Sequence, residues 1–310
     1  MIHQAPRHTY SIVARDPSTG ELGVAVQSHW FCVGPAVIWC EPGVGAAAVQ
    51  SEADPRYGRA ALARLKAGDG AMATLAAILR VGSRPQHQQI AIVDPQGEVA
   101  AHTGRDCIAE AGHLAADGFS VQANMMLRAT VWPAMRAAFA AAPGPLAERL
   151  IAALDAAEAS GGDVRGAQSA AIMIVAGTES ADPRRDRPID LRVDDHRAPL
   201  MELRRLLELQ RAVERAEIGF ARLARAEHEA AIEAFGEAAA RAPEQLEMRF
   251  WGGLAMLKAG RKTEAFRTMR EIFAAEPQWA ILLARLAPAE GVALDERFNS
   301  LIELARSGGR

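Results

Sequence analysis

Aromatic side chains make up only 5% of this 310-residue chain, with two tyrosines among them, while alanine is abundant; that balance favours helices packed through small residues over an aromatic ligand cage. Cysteine is scarce too. Cys32, Cys40 and Cys107 are odd in number and show no CxxC spacing, which argues against a disulfide framework and a zinc site and leaves three reduced core thiols. No excess of positive charge is present: the net charge is −3, and Lys and Arg are scattered among acids, so neither nucleic acid nor an anionic membrane is expected as a partner. No stretch approaches the roughly 18 apolar residues of a membrane span, and MIHQAPRHTYS lacks the apolar core of a secretory signal; a cytoplasmic location is expected. Phosphate-loop, GxGxxG, GxSxG, HExxH and EF-hand patterns are missing. The histidines (His3, His8, His29, His87, His102, His113, His196 and His228) never fall at close ligand spacing, so no metal and no cofactor is expected.

Half of the residues are hydrophobic, enough to fill one large domain or two. Residues 9–28, TYSIVARDPSTGELGVAVQS, place two apolar runs around a DPSTGE turn and read as a β-hairpin. AVIWCE (36–41) and VGAAAVQS (44–51) meet at Pro42-Gly43 and read as two further strands. Helical periodicity follows in PRYGRAALARLKAG and GAMATLAAILR, with Pro55 at the start of the first and Gly68 just past its end. QIAIVDPQGEVAAHTG repeats the hairpin logic around Asp94-Pro95-Gln96-Gly97, and GFSVQAN reads as a strand. Helices are expected at about 129–142 and 145–159, then strands in QSAAIMIVAG and PIDLRV. Hairpins outnumber crossovers, so the sheets should be mostly antiparallel with helices outside them, an α+β layered domain and not a doubly wound one.

From about residue 198 strand signals stop. Gly219 and Gly253, Phe220 and Leu254, Leu223 and Leu257, Ala231 and Ala265, Ile232 and Phe266, Phe235 and Met269, and Pro243 and Pro277 are each separated by 34 residues, the tetratricopeptide period. The region therefore resembles about two tetratricopeptide-like repeats after a linking helix (roughly 198–216), with a closing helix near 294–306. The division expected is a leader at 1–8, a first domain at 9–204 and a helical domain at 205–310. Repeat arrays rely on their neighbours for burial, which points to a protein partner through the helices and to self-association.

Small polar residues gather at strand ends. Thr9 opens the first strand, Ser28 closes the second, Gln50 and Ser51 close the fourth, Gln122 and Asn124 close a later one, and Gln168 and Ser169 begin another. In a layered sheet such positions can converge on one rim; singly, each is as readily a cap for loose backbone groups. In GGDVRGAQS (161–169), Asp163 and Arg165 form either a fixed charged pair beside a strand start, able to orient a nucleophile or bind a carboxylate, or a surface ion pair on an exposed loop. In DLRVDDH, Arg192 and Asp194 alternate onto one strand face, while Asp195 and His196 suit a helix cap.

TYSIVARDPSTGELGVAVQS, GVGAAAVQSEADPRYG, GFSVQANMM, GGDVRGAQSAA and DLRVDDH together resemble a bacterial family grouped with the N-terminal-nucleophile (Ntn) hydrolases, domain of unknown function 1028. The resemblance implies a four-layer αββα sandwich and hydrolysis of a small amide, peptide or ureido substrate. It makes Thr9 the nucleophile, with its own α-amine as general base. Asn124 and a neighbouring backbone N–H are implied for the oxyanion hole, and Asp163 with Arg165 for orienting amine or substrate. Ser28, Gln50, Ser51, Gln122, Gln168, Ser169 and Arg192 would line the substrate site. Because MIHQAPRH precedes Thr9, an amine base requires cleavage after His8. With the leader kept, the alternative is a non-catalytic binding or scaffold protein whose repeats carry the function.

Overall fold

In the computed structural model, which describes residues 9–180 and 182–307, the first turn is built on Asp16. Its Oδ1 accepts from the backbone N–H of Ser18 (2.8 Å) and of Thr19 (3.2 Å), and Gly20 takes φ 78°, a value that costs glycine little. The turn sets β1 (Thr9–Arg15) antiparallel to β2 (Leu22–Ser28) in a register that places Thr9 opposite Ser28. A four-residue helix α1 (Gly34–Val37) leads into β3 (Ile38–Glu41) and β4 (Gly45–Ser51). Asp54 caps α2 (Pro55–Lys66) by accepting from Arg56 N at 2.9 Å, and α3 (Ala71–Val81) follows. Strands β5 (Gln88–Val93), β6 (Val99–Thr103), β7 (Gly112–Ala116) and β8 (Phe119–Asn124) come next, then helices α4 (Val131–Ala141) and α5 (Leu146–Ala159). The first unit closes with β9 (Ser169–Val175), a short α6 (Pro183–Asp186) and β10 (Ile189–Val193).

These strands form two antiparallel sheets, one of six strands in the order β10-β9-β2-β1-β8-β7 and one of four in the order β3-β4-β5-β6. The chain is thus α+β, with a C-terminal all-helical region. Period-two alternation decides which side chains meet between the sheets. Val13, Val24 and Val26 face Ala46, Ala48, Ala91 and Val93 in one buried cluster, where the alanines let the sheets approach closely. The outer face of the four-stranded sheet packs Val49, Ile90 and Ile92 against Tyr57, Ala61 and Leu75 of α2 and α3. On the six-stranded sheet's outer face, Tyr10 Oη donates to Glu158 of α5 at 2.7 Å and Phe119 stacks on Phe139 of α4 with ring centroids 4.5 Å apart. Each fully buried Val or Ile contributes roughly 1.5–3 kcal/mol through lost contact with water.

Three local expectations need correction. Residues 36–37 belong to the helical turn α1 because Pro35 fixes a helical φ, so the strand begins at Ile38. β7 was not expected: GHLAA is short, its polar His113 breaks an apolar run, and pairing with β8 creates it. The linking helix does not stop near 216; α7 runs from Pro199 to Ala224. The leader at residues 1–8 lies outside the described residues. Among the described residues no helix is long and apolar enough to cross a membrane.

The chain divides into two compact units, Met1–Arg205 and Leu206–Arg310. The second contains the end of α7 and α8 (His228–Arg241), α9 (Leu246–Lys258), α10 (Lys262–Ala275), α11 (Gln278–Ala289) and α12 (Glu296–Ser307). Gly219 and Gly253 occupy equivalent close approaches. A Cβ at Gly219 would lie 2.8 Å from the Phe235 ring, and one at Gly253 would lie 2.7 Å from the terminal methyl of Met269. The Met269 methyl can swing aside and the buried Phe235 ring cannot. Gly253→Ala is therefore expected to be neutral or to stabilise by up to about 1 kcal/mol through helix propensity. Gly219→Ala is expected to destabilise by about 1–3 kcal/mol through overpacking. Urea unfolding of the two variants checks the difference in sign.

Candidate active site

Thr9 is the first residue of β1, an interior strand, and its row in the six-stranded sheet is polar. Asn124 of β8 pairs with Thr9, Thr9 with Ser28 of β2, and Ser28 with Ser169 of β9. Residues opposite one another in an antiparallel pair share a face, and Ser11 and Gln122, two residues along from Thr9 and Asn124, reach into the space between the sheets. All four row residues therefore point the same way. Across from them stand Gln50 of β4 and Gln89 of β5, themselves a register pair.

A connected set of hydrogen bonds fills this end. Ser120 Oγ donates to Gln122 Oε1 (3.1 Å), Gln122 Nε2 to Ser11 Oγ (2.6 Å), and Ser11 Oγ to Gln50 Oε1 (2.6 Å). Gln50 Nε2 donates to Gln89 Oε1 (2.6 Å) and to the Thr9 carbonyl (3.3 Å). Asn124 Nδ2 donates to the same two acceptors, at 2.9 and 3.4 Å. The two Gln89 Nε2 protons are shared among three acceptors, Thr103 Oγ1 (2.8 Å), Gly112 O (3.2 Å) and Ala123 O (2.9 Å). Thr9, Ser11, Ser28, Gln50, Gln89, Ser120, Gln122, Asn124 and Ser169 are all fully buried. Thr9 is covered although it begins a strand, because the facing sheet closes over this end.

The network ends at His113, whose Nδ1 lies 2.8 Å from Thr103 Oγ1. The Thr103 oxygen, which accepts from Gln89, has both a proton and a second lone pair for Nδ1, and the imidazole tautomer decides which of the two atoms donates. Burial, and then the neighbouring His102, lower the His113 pKa below the ordinary imidazole value. The unfolded chain then takes up a proton before the folded one does, so stability is steady above the ordinary imidazole range and falls as pH drops through it. The wild type is expected to lose more melting temperature than His113→Gln between pH 8 and pH 5.

Asp163 is buried, not part of an exposed surface pair. Its Oδ2 accepts from the backbone N–H of His29 (3.3 Å), both oxygens take the Arg165 guanidinium, and its backbone bridges Met126. It thereby ties the ends of β2 and β8, the two neighbours of β1, at the end where β1 begins. Arg165 holds the carboxylate from an exposed position. Ser169 serves the loop before α1: its hydroxyl donates to Trp30 O and accepts from Val33 N at 3.1 Å. Gln168 turns to Asp195 (3.0 Å), and its backbone N–H donates to Ser28 O. Arg192 is exposed and lies against Gly34, and Ser51, at φ 72°, pairs with Gln88; neither is brought into the row. Among the described residues no group of three or more His, Cys, Asp or Glu could hold a metal ion.

Sequence reasoning missed Gln89, Ser11, Thr103, His113 and Ser120. One signal was available for three of them: single polar residues at even spacing inside otherwise apolar strands, as in TYSIVAR, QQIAIV and FSVQAN.

Residues 9–203 match a family described as "Family of unknown function (DUF1028)". The crystal structure of protein SPO2555 from Silicibacter pomeroyi, assigned to DUF1028, is similar at 29% identity and a TM-score of 0.58, covering 65% of this chain and 88% of that one. Anbu (ancestral beta-subunit) from Yersinia bercovieri matches at 13% identity and a TM-score of 0.33, covering 63% of this chain and 91% of that one. No curated protein matches the sequence.

Proposed function

The chain belongs to DUF1028, a family of unknown function, and for it we propose amide-bond hydrolysis of the Ntn type, with Thr9 as nucleophile in a chain that starts at that residue. The observation that carries this reading is the position of Thr9: first in an interior strand, in a row of Asn124, Ser28 and Ser169, with the buried Asp163 carboxylate bound to the backbone N–H of His29, the residue after Ser28. The two facing sheets with outer helices fit the Ntn sandwich.

In this reading the Thr9 hydroxyl oxygen attacks the carbonyl carbon of a small amide, peptide or ureido substrate, and its proton passes to the Thr9 α-amine. The C–N bond breaks as that proton passes to the leaving nitrogen, and water then hydrolyses the ester. Asp163 holds the α-amine in place. The Asn124 amide protons are already used by Thr9 O and Gln89, so a neighbouring backbone N–H supplies the oxyanion donor. No metal or cofactor takes part. The helical unit offers 34-residue tetratricopeptide-like hairpins for a protein partner or a second copy of the chain.

A second reading, a non-catalytic binding or scaffold protein, is favoured by one observation: the row is fully buried, and the Thr9 carbonyl and the Asn124 amide are both hydrogen-bonded to the facing sheet. Turnover of an amide panel by the wild type and by Thr9→Ala separates the two readings. The hydrolase reading expects activity in the first and none in the second; no turnover by either makes the scaffold the better account.

A further inference from the structure

The orientation of every amide around Thr9 is fixed by backbone carbonyls. Gly112 O and Ala123 O can only accept, so the Gln89 atom facing them is Nε2, and Oε1 faces Gln50 and Asn124. Thr9 O can only accept as well. The atoms of Gln50 and Asn124 that meet Thr9 O and Gln89 Oε1 are therefore both N–H donors. For Gln50 the remaining oxygen takes the Ser11 hydroxyl. For Asn124 the remaining oxygen, Oδ1, is buried in a fully buried side chain and has no hydrogen-bond partner among the described residues. A buried carbonyl oxygen held rigidly without a donor is unusual, and here it sits in the same row as Thr9.

We propose that Asn124 is a specificity residue that presents an acceptor, not a donor, at the Thr9 end of the inter-sheet space, so that the site takes a ligand through an N–H group such as that of a primary carboxamide. That the ligand is an amide rests on the hydrolase reading; that it must donate to Asn124 rests on the geometry of the amides alone. Gln89 is the positioning residue, because its two backbone carbonyl partners prevent Asn124 from turning over. Ligands that lack N–H, or that carry an oxyanion in that place, leave Asn124 Oδ1 unsatisfied or meet it acceptor to acceptor.

The sequence makes the test simple, since it contains only two asparagines, Asn124 and Asn299, and Asn299 is exposed. Full-length protein labelled with 15N in asparagine side chains should show two NH2 pairs, assigned with Asn299→Asp. In D2O the Asn124 pair should exchange far more slowly than the Asn299 pair. Acetamide should shift the Asn124 pair saturably, whereas N,N-dimethylacetamide and acetate should not. Equally fast exchange of the two pairs, a shift with acetate but not acetamide, or no shift with any probe would each overturn the proposal. The resonances report binding without turnover, so they decide this inference whichever way the Thr9→Ala comparison falls.

Discussion

Gln89→Leu is expected to destabilise the first unit by about 3–5 kcal/mol, the largest single-residue loss in the network. Gln89 has five hydrogen-bond partners, three of them on the facing sheet: its oxygen accepts from Gln50 and Asn124, and its two Nε2 protons are shared among Thr103 Oγ1, Gly112 O and Ala123 O. A leucine fills much the same volume but leaves buried donors and acceptors short of partners on both sides, and each unsatisfied buried group costs about 1–3 kcal/mol. Asn124→Leu should cost less, since both of its acceptors keep Gln50 Nε2 as a donor. The check is urea unfolding, with a fall in midpoint at unchanged m-value. A Gln89→Leu loss no larger than that of Asn124→Leu would show that Gln89 is not the hub.

The second large effect is on chemistry. Thr9→Ala is expected to reduce amide turnover on the order of 10⁴-fold or more, as removal of a sole nucleophile does. Because Thr9 is fully buried, the same substitution also removes packed atoms and is expected to cost about 1–2 kcal/mol of stability. Thr9→Ser restores the hydroxyl, so the alanine and serine variants separate the two effects: both are less stable, and only the serine variant turns over. Turnover in Thr9→Ala close to that of the wild type would remove Thr9 from the mechanism and leave another hydroxyl to be sought.

The sequence was most informative where chain geometry is local. The DPSTGE and DPQG turns, Pro55 at a helix start and Gly68 just past its end each carry their own physical cause, and the hairpins and helix pairs follow from them. The Thr9–Ser28 pairing could be read from the same turn, since a hairpin fixes its own register. Asn124 is 115 residues from Thr9, and only the sheet brings the two together. Gln89 was not legible because a glutamine near a strand start looks like any solvated polar residue until the second sheet covers it. Gln168 and Arg192 looked equally suited to the site, but Gln168 turns to Asp195 and Arg192 to the α1 side of the sheet, choices made by loops whose paths no local pattern encodes. In the helical region Gly219 and Gly253, 34 residues apart, each lie against a side chain of the following helix, Phe235 and Met269.

The central claim is that Thr9 acts through its own α-amine, which exists only in a chain that starts there. Intact-mass analysis of fractions that hydrolyse an amide tests this most directly. Activity should co-purify with protein lacking MIHQAPRH and be missing from protein that retains it. Full activity in a fraction whose mass includes residues 1–8 would contradict the claim.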